Sequence, residues 1–306
     1  MASFPPASNL KKLQSLIHAH TVSSLNTTDT LLLRASKLFS TPAGIDSALL
    51  TLQYTLKFAS KRLQARLESQ LAALAESIAS KAEGALLPGE TIVAEVPSPP
   101  GAKRIAKLSE GAGNLSAKIS DVRMFMRLWG LLGMYAWARS TYAAPPKDTI
   151  LKAIAWGQIT VMTAFQFLEN AVYLASQGVL NGEGWLGEAG ARRKGDWMVK
   201  SCQCWVAYIG LDFVRLGYEW YKERNGLNEE VVSGNVEKEK EFKMAALQRT
   251  KDRNALWWRQ FVKQAAYSPM ALHYSVTTPL ISDTTIGWTG MIAGISGLMH
   301  LWRQTA

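Results

Sequence analysis

The stretch Ile45–Ser80, IDSALLTLQYTLKFASKRLQARLESQLAALAESIAS, decides how the rest of the chain is read. Leu49, Leu52, Leu56, Leu63, Leu67, Leu71 and Leu74 recur at intervals of three, four or seven residues. At roughly 100° per residue these positions make one apolar stripe, so the spacing predicts a single long helix. On the same wheel Lys57 and Arg66 fall about 90° to either side of the stripe, with Lys61 and Arg62 behind them. Such a face suits an anionic membrane surface. The leucines enter the acyl boundary, and the Lys and Arg stems carry their charge back toward phosphate. An amphipathic helix in a cytosolic bundle shows the same pattern, so this stretch alone leaves both readings open.

Outward from that helix, the composition divides the chain. It has 306 residues, a net charge of +10, a pI near 9.6 and a mean hydropathy near zero. The length suffices for two domains or one large one. The basic balance admits nucleic acid, anionic membranes or acidic proteins as partners. All eleven tryptophans lie after residue 128, from Trp129 to Trp302. The first part is rich in Leu, Ala and Ser, and the second in Trp, Gly, Met and Tyr. Trp and Tyr gather at membrane interfaces because each ring has an apolar body and a polar tip.

Leu10–Leu25 is expected to form a short helix, and Thr28 or Asp29 to cap a second one through Phe39, broken at Pro42 and Gly44. These segments and the long helix make an N-terminal region, 1–83. Residues 84–118 are expected to be a flexible linker, because Gly84–Ala102 carries four prolines and three glycines. Residues 119–220 read as a helical membrane-associated region. There Ser120 or Asp121 caps a helix carrying Val122, Phe125, Met126, Trp129 and Leu132, which Pro145 and Pro146 follow. Its uncharged run Leu128–Ala138 is too short to span a bilayer. Ala153–Leu168 is uncharged and continues to Leu180 past Glu169, an expected membrane helix. Met198–Trp220 contains Lys200, Asp212 and Arg215, which favours a surface or bundle helix. Residues 221–255, with Glu237–Phe242 (EKEKEF), read as a charged, solvated loop.

The C-terminal region, 256–306, is expected to hold a Gly-rich transmembrane helix. Thr284–Trp302 is uncharged over nineteen residues and is closed by Arg303. Gly290 with Gly294, and Ala293 with Gly297, are small residues four apart that let helix backbones approach closely. The fold class expected from these patterns is an all-α membrane protein. It has a basic amphipathic N-terminal helix and Trp/Gly-rich C-terminal membrane helices.

The chemistry of an enzyme is not found. There is no Gly-x-Ser-x-Gly, His-Glu-x-x-His or Gly-Lys-Ser/Thr phosphate loop. Gly111-Ala-Gly113 lacks the third glycine and the preceding strand of a dinucleotide loop, and is expected to be a flexible turn. Cys202 and Cys204 are the only cysteines, with no second pair to complete a metal site. His18 and His20 have no carboxylate cluster beside them. No catalytic residue, metal site or cofactor is expected. The basic residues are interleaved with acids, which argues against nucleic acid. The first residues, MASFPPASNLKKLQ, are not expected to be a secretory signal, nor Gln304-Thr305-Ala306 a peroxisomal matrix address.

Two stretches carry a likeness. Ser40–Leu63 (STPAGIDSALLTLQYTLKFASKRL) and Lys118–Ala138 (KISDVRMFMRLWGLLGMYAWA) resemble the eleventh-peroxin family, the peroxisomal membrane-elongation proteins, in their filamentous-fungal form. With the Gly-rich C-terminal segment the likeness extends from about Thr27 to Trp302. It implies a peroxisomal membrane protein with cytosolic termini, which elongates the membrane before fission and controls peroxisome proliferation. By resemblance, membrane insertion falls on Leu49, Leu52, Leu56, Lys57, Lys61, Arg62, Leu63, Arg66 and Leu67. The resemblance also implies self-association into a homo-oligomer. It further implies contact with the dynamin-like fission machinery and with the peroxisomal membrane-protein import receptor. The alternative is a channel for small metabolites, with Asp212, Arg215 and His273 as its polar lining.

Overall fold

The computed structural model describes residues 26–83, 97–226 and 236–305. Among these residues there are helices and turns and no strand, so the chain is all-α. The expected helix Leu10–Leu25, with His18 and His20, lies outside the described residues, as do residues 84–96 of the expected linker. The helices are α1 (26–39), α2 (Pro42–Glu83), α3 (Ala102–Met126), α4 (Gly130–Ala143), α5 (Thr149–Ser176), α6 (Gly187–Gly226), α7 (Val236–Tyr274) and α8 (Asp283–Arg303). Short 3-10 turns occupy Arg127–Trp129 and Glu183–Trp185.

Local chemistry explains the starts. The Thr41 hydroxyl accepts from the Gly44 N–H at 3.1 Å, and Pro42 takes the first helical position, where a missing N–H costs nothing. Asp148 caps α5 by accepting from the N–H groups of Ile150 and Leu151 at 2.9 and 3.1 Å. Ser282 caps α8 through the Thr285 N–H at 3.2 Å. Gly101, ahead of α3, has φ +78°, a left-handed conformation that favours glycine.

Among the described residues, 26–48 and 297–305 belong to one compact unit and those between 49 and 296 to another. In the first, the Arg34 guanidinium lies 4.6 Å over the Trp302 ring and donates to the Trp302 carbonyl at 2.9 Å. An open apolar cavity of about 370 Å³ lies among Leu38, Phe39, Ala48, Leu298, Met299 and Trp302, with Arg303 at its edge. In the second, α5 packs along α6, α6 along α7, and α4 against α5. Trp205 of α6 joins three helices, 6.5 Å from Phe165 of α5 and 5.5 Å from Tyr267 of α7. Leu216, Met270, Ala271, Ile286 and Ala293 are almost wholly inaccessible.

Three expectations are corrected. Residues 102–118 are not linker but the first turns of α3, and Gly111 and Gly113 lie inside that helix. Pro97, Pro99, Pro100 and Gly101 punctuate the chain, and regular helix follows them at once. Residues 221–226 and 236–255 are helical rather than loop, since a charge-dense segment can be a solvated helix as well as a solvated coil. Pro269 likewise sits inside α7, where the Ser268 hydroxyl donates to the Gln264 carbonyl at 2.8 Å. Finally, no helix among the described residues is long and apolar enough to cross a membrane. That overturns the spanning reading of Thr284–Trp302 and of Ala153–Leu180. Glycines, threonines and His300 dilute α8, while Gln158, Gln166, Glu169 and Asn170 interrupt α5.

Candidate functional site

The α2 leucines and cations named above do not share one fate. Leu52 is exposed, and Leu49, Leu56, Leu63 and Leu67 are half-covered. Arg62 and Arg66 are open to solvent. Lys57 and Lys61 instead reach the two carboxylate oxygens of Asp283, at 3.0 and 3.2 Å. Burial would raise the Asp283 carboxyl, but the hydrogen bond and charge of Lys57, and then those of Lys61, hold it below its ordinary value. Pairs this exposed are worth about 0–1 kcal/mol each.

The contacts α2 makes with α3 include small and polar side chains. Toward α3, the Ser60 hydroxyl donates to the Ser109 carbonyl at 2.7 Å and the Ser109 hydroxyl donates back to the Ser60 carbonyl at 2.9 Å. Further along, Ser116 donates to the Gln53 carbonyl at 2.9 Å, and Arg123 to the Gln53 Oε1 at 2.7 Å. A Cβ on Gly113 would stand 3.2 Å from the Ser60 hydroxyl, so the missing side chain permits this approach.

Toward α8, the glycine face lies against α2 of the same chain. A Cβ on Gly287 would come 2.8 Å from the Phe58 backbone, and one on Gly294 2.8 Å from the Thr51 hydroxyl. One on Gly290 would overlap the Tyr54 ring. Ala293 is buried, and a Cβ on Gly297 would stand 3.3 Å from the Ser47 hydroxyl. Burial, with Tyr274 nearby, pushes the Tyr54 phenol up to about 12, so it packs as a neutral ring.

Polar groups also fill the centre of the α5–α6–α7 bundle. Asp212, 4% exposed, accepts from Gln158 at 3.0 Å and from Arg215 at 2.9 Å on one oxygen, and from Gln264 at 2.8 Å on the other. Arg215 also donates to Glu219 at 2.9 Å and to Gln260 at 3.0 Å. His273 Nδ1 accepts from the N–H groups of Leu280 and Ile281, both at 3.2 Å. Burial pushes the Cys202 thiol up to about 11, while Cys204 is half-buried. Among the described residues no group of three His, Cys, Asp or Glu side chains is placed to hold a metal ion.

Asp148 joins the start of α5 to the end of α6. Besides capping α5 it accepts from the Tyr218 hydroxyl at 2.9 Å and from Lys222 at 2.7 Å. The Lys222 hydrogen bond, followed by that of the Leu151 N–H, holds its carboxyl well below the usual carboxylate range. A depressed folded value stabilises the protein above the unfolded value of about 3.9 and is lost as pH falls through the folded one. Asp148→Asn should therefore melt at a lower temperature than the parent at neutral pH, and the gap should close in strong acid. A gap independent of pH in thermal melts would refute this assignment.

A row of large apolar side chains lies at the surface. Leu108, Leu115, Val122, Phe125, Trp129 and Leu132 follow one another at intervals of seven, seven, three, four and three along α3 and α4, and all six are exposed. Trp129 is 58% and Leu132 68% accessible, and Tyr135 and Tyr142 extend the row. On a helix wheel Arg104, Leu108, Leu115 and Val122 fall within about 40°, with Lys107 and Lys118 on one flank. Val122, Phe125, Trp129 and Leu132 belong to the helix expected from sequence in the membrane-associated region, whereas Leu108 and Leu115 do not. Their signal is the seven-residue spacing from Leu108 to Trp129, which the reading of residues 84–118 as linker hides.

The chain matches the family model of peroxisomal biogenesis factor 11 (PEX11) over residues 102–302, well over half its length. No curated protein and no solved structure matches it significantly. The matched span begins at α3. It includes the Lys118–Ala138 stretch and α8, and leaves the Ser40–Leu63 stretch outside. The chain belongs to the peroxisomal biogenesis factor 11 family, whose members serve peroxisome proliferation.

Proposed function

We propose that this chain elongates the peroxisomal membrane ahead of fission by laying apolar helix faces into one leaflet. The observation that supports the reading is the exposed row on α3 and α4, from Leu108 to Leu132, with Arg104, Lys107 and Lys118 beside it. A contiguous apolar surface on a water-soluble face marks an interaction site. Long cationic stems beside it favour an anionic lipid surface. A helix too polar to cross a bilayer can still lie in its interface, where its volume expands one leaflet relative to the other. The exposed part of α2, with Leu52, Arg62 and Arg66, adds to the same contact. On this reading the termini stay cytosolic, copies of the chain concentrate the wedges, and a dynamin-like partner cuts the tubule.

The test uses the full chain and vesicles containing phosphatidylserine. Trp129→Asp with Leu132→Asp should lower binding at least tenfold and abolish tubule formation, since each large side chain withdrawn forfeits about 1.5–3 kcal/mol of burial. Unchanged binding by the double variant would end the proposal. The channel alternative has less support, because Asp212, Arg215 and His273 already bond to their own chain. Single-channel currents from purified protein would revive it.

A further inference from the structure

We infer that Lys57 and Lys61 form an anion site that the chain's own Asp283 occupies, and that the phosphate of an anionic lipid headgroup displaces this carboxylate on docking. The inference rests on the membrane reading above.

The lysines lie one turn apart on α2, and their ammonium groups meet at a single carboxylate, 3.0 and 3.2 Å away on separate oxygens. Lys57 also donates to the Tyr274 hydroxyl at 3.5 Å. Two cations against one anion leave surplus positive charge, so a phosphate of equal or greater charge replaces the carboxylate without an electrostatic deficit. The route is open: the Lys57, Lys61 and Asp283 side chains are 24%, 36% and 49% accessible. Lysine suits an exchange of partners, because its ammonium is a point charge with rotatable donors rather than a fixed fork. Asp283 does not depend on the lysines either. It lies in the first turn of α8, where the helix dipole favours negative charge, and Ser282 keeps its capping bond to Thr285. Asp283 thus acts as a built-in stand-in for phosphate. It withholds two of the cations of α2 until the surface charge density of the membrane outcompetes it.

The test measures co-sedimentation of the full chain with phosphatidylcholine vesicles, with and without phosphatidylserine, at several salt concentrations. Asp283→Asn should bind the anionic vesicles about three- to tenfold more tightly than the parent, with a steeper salt dependence and no gain on neutral vesicles. Adding Lys57→Gln and Lys61→Gln should cancel that gain, yet cost the parent little. Equal anionic binding by the parent and Asp283→Asn would overturn the inference while leaving the membrane reading intact. A gain of the same size on neutral vesicles would overturn it too, since it would report loosened packing of α8. Competition by millimolar inorganic phosphate would assign the site to free phosphate and overturn the headgroup assignment. Failure of the parent to bind any vesicle would end both readings. The Lys57→Gln, Lys61→Gln chain, with Asp283 intact, keeps the test decisive if Asp283→Asn folds poorly: a large loss of parent binding would show that the lysines were never withheld.

Discussion

Replacing Asp212 with alanine should destabilise the bundle by about 3–5 kcal/mol, the largest loss expected from any single side chain here. The carboxylate is buried between α5, α6 and α7 and receives Gln158, Arg215 and Gln264. Without it, two amides and one side of a guanidinium face a dry interior with no acceptor, and each orphaned group incurs its own desolvation penalty. The remedy is to remove the donors as well. Gln158→Leu with Gln264→Leu in the Asp212→Ala background should recover part of the stability, because an apolar centre is less costly than a half-satisfied polar one. Urea unfolding measures both steps. A loss below about 1 kcal/mol for Asp212→Ala would mean that the node is hydrated and carries little of the stability.

Gly287→Ala should cost about 1–3 kcal/mol although only a methyl is added. That methyl would stand 2.8 Å from the backbone of Phe58, which cannot rotate aside, so α8 must move off α2. Gly290→Leu should do more, since its side chain would take the place of the Tyr54 ring. By contrast, Gly111 and Gly133 have open space where a Cβ would go. Alanine there should raise stability by about 0.5–1 kcal/mol through helix propensity. Amide hydrogen exchange separates the cases, because Gly287→Ala should speed exchange along α8 while the other two should not. If all three alanines behave alike, the glycine face of α8 is not a packing surface.

The helices were legible because their signals are local. The leucine spacing of α2 and the two prolines ahead of α5 need only neighbours in sequence, and they lead to an all-α reading, although the start expected at Ser120 or Asp121 lies inside α3. The close approach of α8 was legible from Gly290 and Gly294 as a capacity, without saying which helix would fill it. What was not legible was the sense of burial. An uncharged run such as Ala153–Leu168 reads as a membrane segment on average, yet its glutamines turn inward to serve Asp212 and the end of α3. Asp212 and Arg215, suspected of lining a pore, are bonded across three helices instead. Nor can a wheel drawn on α2 show that Lys57 and Lys61 will be taken by an aspartate more than two hundred residues away. Such partners are set by tertiary approach.

The serine joint between α2 and α3 has a consequence for where this pair can work. Ser60 and Ser109 exchange hydroxyls for each other's carbonyls, and Ser116 holds the main chain at Gln53, so hydrogen bonds as well as packing fix this contact. Burial of apolar surface loses its driving force once the surroundings are themselves hydrocarbon, whereas close small-residue contacts bridged by hydrogen bonds persist there. A slip of α3 by one turn would break the reciprocal pair in either solvent. On the membrane reading proposed above, the pair should therefore keep its register on moving from water to a lipid surface.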